Sequence, residues 1–215
     1  MNQLRYTLLS DGASNKALMP ILTWLLQQHL HGIAIHAEWA DLRRLPKPPS
    51  RRRMSERIRW SLDLFPCDLL FVHRDAENVS RERRFGEINR GIQEARASID
   101  VPPTVCVVPV RMMEAWLLFD IVAIRRAAGN PTETERLNLP SLRNLENVRD
   151  PKAKLHLILR KASGGRGRRL RNFNTNSAVQ RIPEYIEDFS PLRILSAFQT
   201  LESHIRETVM SLGFT

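Results

Sequence analysis

The run Leu69-Leu70-Phe71-Val72, followed at once by His73-Arg74-Asp75-Ala76-Glu77, constrains this chain more than any other segment. Four consecutive apolar residues read as a strand buried on both faces. The two carboxylates that follow, Asp75 and Glu77, are spaced by one residue. On an extended backbone alternate side chains point the same way, so both emerge together where the strand ends. In open α/β sheets that end is where ligand sites lie. Adjacent anions repel unless a cation sits between them, and hard oxygen ligands suit Mg²⁺ or Mn²⁺. A solvated turn has the same composition, so this segment alone divides evenly between the two readings.

Two further segments repeat the arrangement. Arg5-Tyr6-Thr7-Leu8-Leu9 runs into Ser10-Asp11-Gly12, and Pro103 to Val110 is followed within a few residues by Glu114. Helical spacing follows each strand: Leu18, Ile21, Leu22, Leu25 and Leu26 after the first, with Ser14 or Asn15 as a cap. A strand is expected over 32–39, a helix over 55–65, a charged helix over 80–98 and an apolar helix over 114–128. This alternation predicts an α/β fold, a mainly parallel sheet with helices on both faces. Three strands that each deliver an acid at the carboxyl end place four carboxylates, Asp11, Asp75, Glu77 and Glu114, around one point.

From about residue 131 the texture changes to short, proline-punctuated pieces, with helices expected over 151–161 and 191–212. The expected division is therefore an α/β domain over 1–130 and a helical C-terminal subdomain over 131–215, packed on the same core. Nothing reaches the roughly 18 consecutive apolar residues of a membrane span, and no secretory pattern opens the chain, so a cytoplasmic protein is expected. Cys67 and Cys106 flank or fall in expected strands and read as small core hydrophobes.

A formal charge of +10 and a pI near 10.7 favour an anionic partner, nucleic acid first and an acidic protein surface second. Arginines crowd two segments. Arg51, Arg52, Arg53 and Arg57 follow the stiff linker Leu45-Pro46-Lys47-Pro48-Pro49, and Arg166, Arg168, Arg169 and Arg171 surround glycines in what reads as a flexible basic loop. Lys16 lies one helical turn from Asp11, placed to reach a phosphate at a helix N-terminus. Arg74 either balances the acids or contacts a phosphate. His73 reads as a packed or surface residue in preference to one that holds a phosphate or metal, and Asp120 as an acid pointing elsewhere. No Walker-type glycine loop is present in the sequence.

The acid pattern resembles the TOPRIM fold of topoisomerases, primases and the OLD-type and RloB-type nucleases of phage defence. Asp11-Gly12 matches that family's first acid-glycine pair, where Glu-Gly is usual. Asp75-Ala76-Glu77 matches its Asp-x-Asp pair. Glu114-Ala115-Trp116-Leu117-Leu118-Phe119-Asp120 is similar to a Glu-Ala-Trp-Leu-Leu-x-Asp segment of small bacterial TOPRIM-like proteins. The resemblance spans roughly residues 4–125, with a weaker echo at Asp150-Pro151-Lys152. It implies a Rossmann-related TOPRIM-like sheet with a C-terminal helical appendage.

It also implies a nuclease that hydrolyses phosphodiesters with Mg²⁺ or Mn²⁺. Asp75, Glu77, Glu114 and Asp11 would be the metal-binding and catalytic set. Arg51, Arg52, Arg53, Arg57, Arg74, Lys16 and the arginines at 166–171 would hold DNA or RNA, tRNA included. Such proteins often work with a separate ABC/SMC-type ATPase, here as the effector of an antiviral defence system. The shorter Asp11 and the Glu at 77 leave an alternative: a catalytically degenerate TOPRIM subunit that binds nucleic acid or an ATPase partner.

Overall fold

In the computed structural model, which describes residues 3–50, 52–132 and 134–213, four strands form a single parallel sheet. They are β1 (Gln3–Leu9), β2 (Ala34–Ala40), β3 (Leu69–His73) and β4 (Thr104–Val107), in the spatial order β2-β1-β3-β4. The register sets Leu8 beside Phe71 and Phe71 beside Val105. All five residues of β3 are buried, as its unbroken apolar run requires of a strand between neighbours. The edge strand β2 alternates exposed and half-buried residues.

Side-chain alternation divides the sheet's two faces. Leu4, Tyr6, Leu8, Phe71, Val105 and Val107 point to one side; Leu9, Leu70, Val72 and Cys106 point to the other. The second face is covered by α2 (Met54–Leu64) and α3 (Arg81–Arg96), through Met54, Ile58, Ile88 and Ile92. These helices meet closely because position 91 is glycine: a Cβ there would lie 2.5 Å from the Met54 side chain.

The first face is covered by α1 (Leu18–His29), α4 (Ile121–Ala127), α5 (Pro151–Ala162), α7 (Thr175–Arg181) and α8 (Ser196–Ser211), while the short α6 (Gly167–Arg171) buries no residue. Leu155, Ile158, Leu159, Phe198, Leu201 and Ile205 share one cluster with Leu4, Tyr6 and Leu8, so the chain beyond residue 130 completes the core of the sheet. Trp116 meets Phe198 edge-on, their centroids 5.5 Å apart.

Several helices differ from expectation at their ends. The helix expected from Ser14 opens with a 3₁₀ turn, Ala13–Ala17, before α1 begins at Leu18. The single helix expected over 114–128 is two pieces, a 3₁₀ turn Met113–Leu117 and then α4. Asp120 separates them because its carboxylate accepts the Ala123 N–H at 2.9 Å, capping α4. The helix expected over 191–212 is likewise a 3₁₀ turn, Ser190–Ile194, followed by α8. Glu146 receives the Ser196 and Ala197 N–H groups at the start of α8. Part of the expected basic loop, Gly167–Arg171, is a short helix.

Cys106 is buried in β4 and Cys67 is half-buried before β3, both free thiols. Burial pushes the Cys106 thiol up to about 12, which keeps it protonated and inert. Among the described residues, no helix is long and apolar enough to cross a membrane.

A charge-balanced cleft at the carboxyl edge of the sheet

Parallel strands deliver their following loops to one edge, and here those loops wall a cleft of about 400 Å³. Asp11 follows β1, Asp75 and Glu77 follow β3, and Glu114 stands in the 3₁₀ turn after β4. All four line the cleft, together with Arg43, Arg74, Arg84 and Lys152. Asn176 and Gln180 of α7 close one side, and the Gln180 amide donates to the Ala13 carbonyl at 3.1 Å. Four acids and four bases thus face one space.

The acids have different partners. Asp11 is clasped by two guanidinium groups: Arg57 Nη1 donates to Oδ1, and Arg74 Nε donates to Oδ2 at 3.2 Å. Arg57 is 4% exposed, and its other terminal nitrogen donates to the Ser10 carbonyl at 2.7 Å. It was expected among the residues holding nucleic acid, but burial and these bonds make it an internal counter-ion. The α2 pattern carries the signal for this: Met54, Arg57, Ile58 and Ser61 form the buried stripe at helical spacing.

Arg74 continues an ion-pair ladder. Its Nη1 donates to Glu87 at 3.2 Å, and Arg84 donates to the same Glu87 oxygen at 2.8 Å. Arg84 also reaches Glu77 at 3.4 Å and the Asp75 carbonyl at 3.0 Å. Burial alone would raise the Glu87 carboxyl, but the Arg84 bond and the charges of Arg84, Arg74 and Arg83 outweigh it and hold it below its ordinary value. Arg84 and Glu87 were missed in the sequence. Their three-residue spacing on α3 reads as a surface pair, and only the tertiary contact with Arg74 brings them to the cleft.

Glu77 sits in the left-handed region, with φ of 54°, and its N–H donates to the carbonyl of Arg111 at 2.7 Å. Arg111 is itself at φ 60°. Two non-glycine residues in this region are uncommon, and they join the loops after β3 and β4. This conformation breaks the extended alternation that would have kept Glu77 beside Asp75 and leaves its side chain exposed on Arg84.

Among the described residues, Asp75 and Glu114 have no guanidinium counter-ion. Asp75 Oδ1 accepts the Met113 N–H at 2.9 Å, which fixes the 3₁₀ turn carrying Glu114. Glu114 is 2% exposed, and burial together with the charge of Asp75 raises its carboxyl above the ordinary range, against a smaller opposing pull from Lys152. His73 is fully packed and places Nδ1 2.9 Å from the Val107 carbonyl. Its Nε2 lies 2.9 Å from the Asn15 amide nitrogen and 3.5 Å from Asp75. Asn15 Oδ1 accepts the Gly12 N–H at 2.8 Å, so one buried amide joins the turn after β1 to β3. Burial on its own would lower the His73 pKa; the Asp75 carboxylate, with lesser help from Val107 and Asp11, turns the net shift upward.

These contacts test the expected metal set. Among the described residues, no three His, Cys, Asp or Glu side chains come together as a group that could hold a metal ion. Asp11 is saturated by arginines and Glu77 is turned onto Arg84, so the four acids share a cleft without forming a four-carboxylate cage for Mg²⁺ or Mn²⁺. The pair Asp75 and Glu114 remains.

The expected nucleic-acid contacts also separate. Lys16 is exposed, but it faces a groove beside Trp39 and Arg44 and not the cleft. Arg52 and Arg53 are exposed, Arg53 lying 3.6 Å from Glu56, while Arg51 falls outside the described residues. Arg166, Arg168, Arg169 and Arg171 are exposed and lead directly into α7, whose Asn176 and Gln180 line the cleft. Arg43, Lys152, Asn176 and Gln180 were not anticipated as lining residues; Arg43 had a signal in the arginine-crowded segment 43–59, and Lys152 in the Asp150-Pro151-Lys152 echo. The chain matches no protein-family model, no curated protein and no solved structure in the comparisons made.

Proposed function

We propose that this protein binds nucleic acid at the strand-end cleft, as a catalytically degenerate relative of the TOPRIM-like frame its acid pattern resembles. The observation that carries the reading is the double arginine clasp on Asp11. An acid held this way is neither a free base nor an open metal ligand. Arg43 and Lys152 line the same cleft, exposed Arg52 and Arg53 precede the helix that supplies Arg57, and the exposed arginines at 166–171 precede α7, which lines it. Such a surface neutralises backbone phosphates without reading sequence. The test is binding of labelled single-stranded and duplex oligonucleotides over a salt series. A steep loss of affinity with salt supports the reading, and no binding at low salt ends it.

A second reading, metal-dependent phosphodiester hydrolysis, is favoured by Asp75 and Glu114. Burial and then the charge of Asp75 raise the Glu114 proton affinity, and a divalent cation would relieve the repulsion between the two acids. Mg²⁺ is commonly held by one or two carboxylates plus substrate phosphates, so two acids suffice when the ion arrives with a phosphodiester. In this reading the protein is a nuclease effector acting with a separate ATPase. Cleavage by wild type with Mg²⁺ or Mn²⁺, with and without an ATPase recovered from native cells, and its loss in Glu114→Gln would establish it over the first. Cleavage equal in both proteins would remove these acids from any such reaction.

A further inference from the structure

Beside the main cleft lies a smaller cavity of about 190 Å³, and the two share Asp11 and Arg43. Its walls are the Trp39 ring at the end of β2, the prolines Pro48 and Pro49 of the linker, and the side chains of Asp41 and Leu42. Three contacts hold it ready. The Trp39 indole N–H donates to Ser10 Oγ at 3.0 Å, which fixes the ring's orientation. The Arg43 guanidinium stands over that ring, 5.1 Å from its centroid. Asp41 holds Arg43 through two bonds of 2.6 and 2.8 Å, and the Asp41 carboxyl is kept below its ordinary value by them. The prolines have restricted backbones, which stiffens their part of the wall.

An aromatic ring, a guanidinium plane and two proline rings make a slot for a flat, partly polar group. We infer that this cavity receives one unstacked nucleobase from a strand whose phosphate lies in the main cleft, so that the protein prefers single-stranded over duplex nucleic acid. This rests on the nucleic-acid reading above and names its substrate class. Arg43 is the hinge of the arrangement, because it lines both spaces: it can face a phosphate on one side and a base on the other. Stacking on the guanidinium plane that Trp39 backs accepts any base, which suits a protein that grips the backbone without reading sequence. A paired base is withheld from the slot, since extruding it from a duplex costs a few kcal/mol.

The experiment compares three probes on the wild-type protein: a short single strand, the duplex of the same sequence, and a strand of equal length made wholly of abasic sites. The single strand is expected to bind about five- to a hundredfold more tightly than the abasic strand, the range found for removing one aromatic stacking partner. Trp39→Ala should bring the ratio of the two affinities close to one, and Trp39→Phe should keep most of the wild-type ratio. Equal affinity of wild type for the base-bearing and abasic strands would overturn the inference without any variant, and leave the phosphate-binding reading intact. A folded Trp39→Ala protein that still prefers bases would overturn it too. If wild type binds none of the probes, the nucleic-acid reading itself fails, and this inference with it.

Discussion

Asp11 and Glu114 both follow strands of one parallel sheet into one cleft, yet their electrostatic surroundings are opposite. Asp11 is a quarter exposed and held by two arginines, one of them buried. Glu114 is almost fully buried, has no guanidinium partner among the described residues and feels the field of Asp75. The first acid is needed by its neighbours; the second is tolerated by them. Equivalent placement at a strand end therefore says where an acid stands and little about what it does there. Its role depends on which cation the rest of the chain brings to it.

The sharpest way to break this comparison is to remove each acid. Asp11→Ala strands Arg57 in the interior, so it should lower stability by about 3 kcal/mol, the lower end for breaking a buried ion pair because the carboxylate is partly solvated. Urea denaturation would measure it, and a variant as stable as wild type would mean that Arg57 does not depend on Asp11. Glu114→Gln should act in the opposite direction, raising stability by about 1 kcal/mol, since it removes a desolvated charge that Asp75 repels. A destabilised Glu114→Gln would show that Lys152 compensates the carboxylate more fully than its weaker influence suggests.

A smaller effect concerns pH. The folded Glu114 carboxyl lies above its ordinary value of 4.5, so the native state binds more protons than the unfolded chain between those two values. Stability attributable to this group therefore falls as pH rises through that window and is recovered below it. Asp41 and Asp68, held below their ordinary values by Arg43 and Arg5, work in the reverse sense and lose their contribution as pH falls. The measurement is thus the difference between wild type and Glu114→Gln in urea midpoint across the acidic range. A difference that does not vary with pH would refute the linkage.

The smallest expected change in stability is at the surface. Replacing Arg166, Arg168, Arg169 and Arg171 with Gln should alter it by no more than about 0.5 kcal/mol, because all four are exposed. The same substitutions should reduce the slope of log affinity against log salt by about one for each arginine that meets a phosphate. An unchanged slope would move the nucleic-acid contact away from this segment.

Much of the frame was legible before the structure. The strand segments read at Leu69–Val72, Arg5–Leu9 and Pro103–Val110 and the helical spacing after them report burial on one or both faces, a local property that periodicity records. The delivery of four acids to one edge also followed, because all strands of a parallel sheet end on the same side. What misled was continuity. The helix read through Asp120 is interrupted because that carboxylate satisfies a backbone N–H, a choice invisible to apolar spacing. The pairing of Asp75 with Glu77 assumed extended backbone, and the left-handed turn at Glu77 removed it.

Composition and pattern alone thus establish the parallel α/β frame, the basic surface and the chain positions of the strand-end acids, because each depends on residues close in sequence. The tertiary structure alone assigns partners to those acids. Arg57 and Arg74 reach Asp11 from 46 and 63 residues away, and Glu87 joins the ladder from a helix that reads as solvent-facing. Contacts across such separations have no periodic signature, and Coulomb energy depends on the final distance and burial of two groups, not on their spacing along the chain.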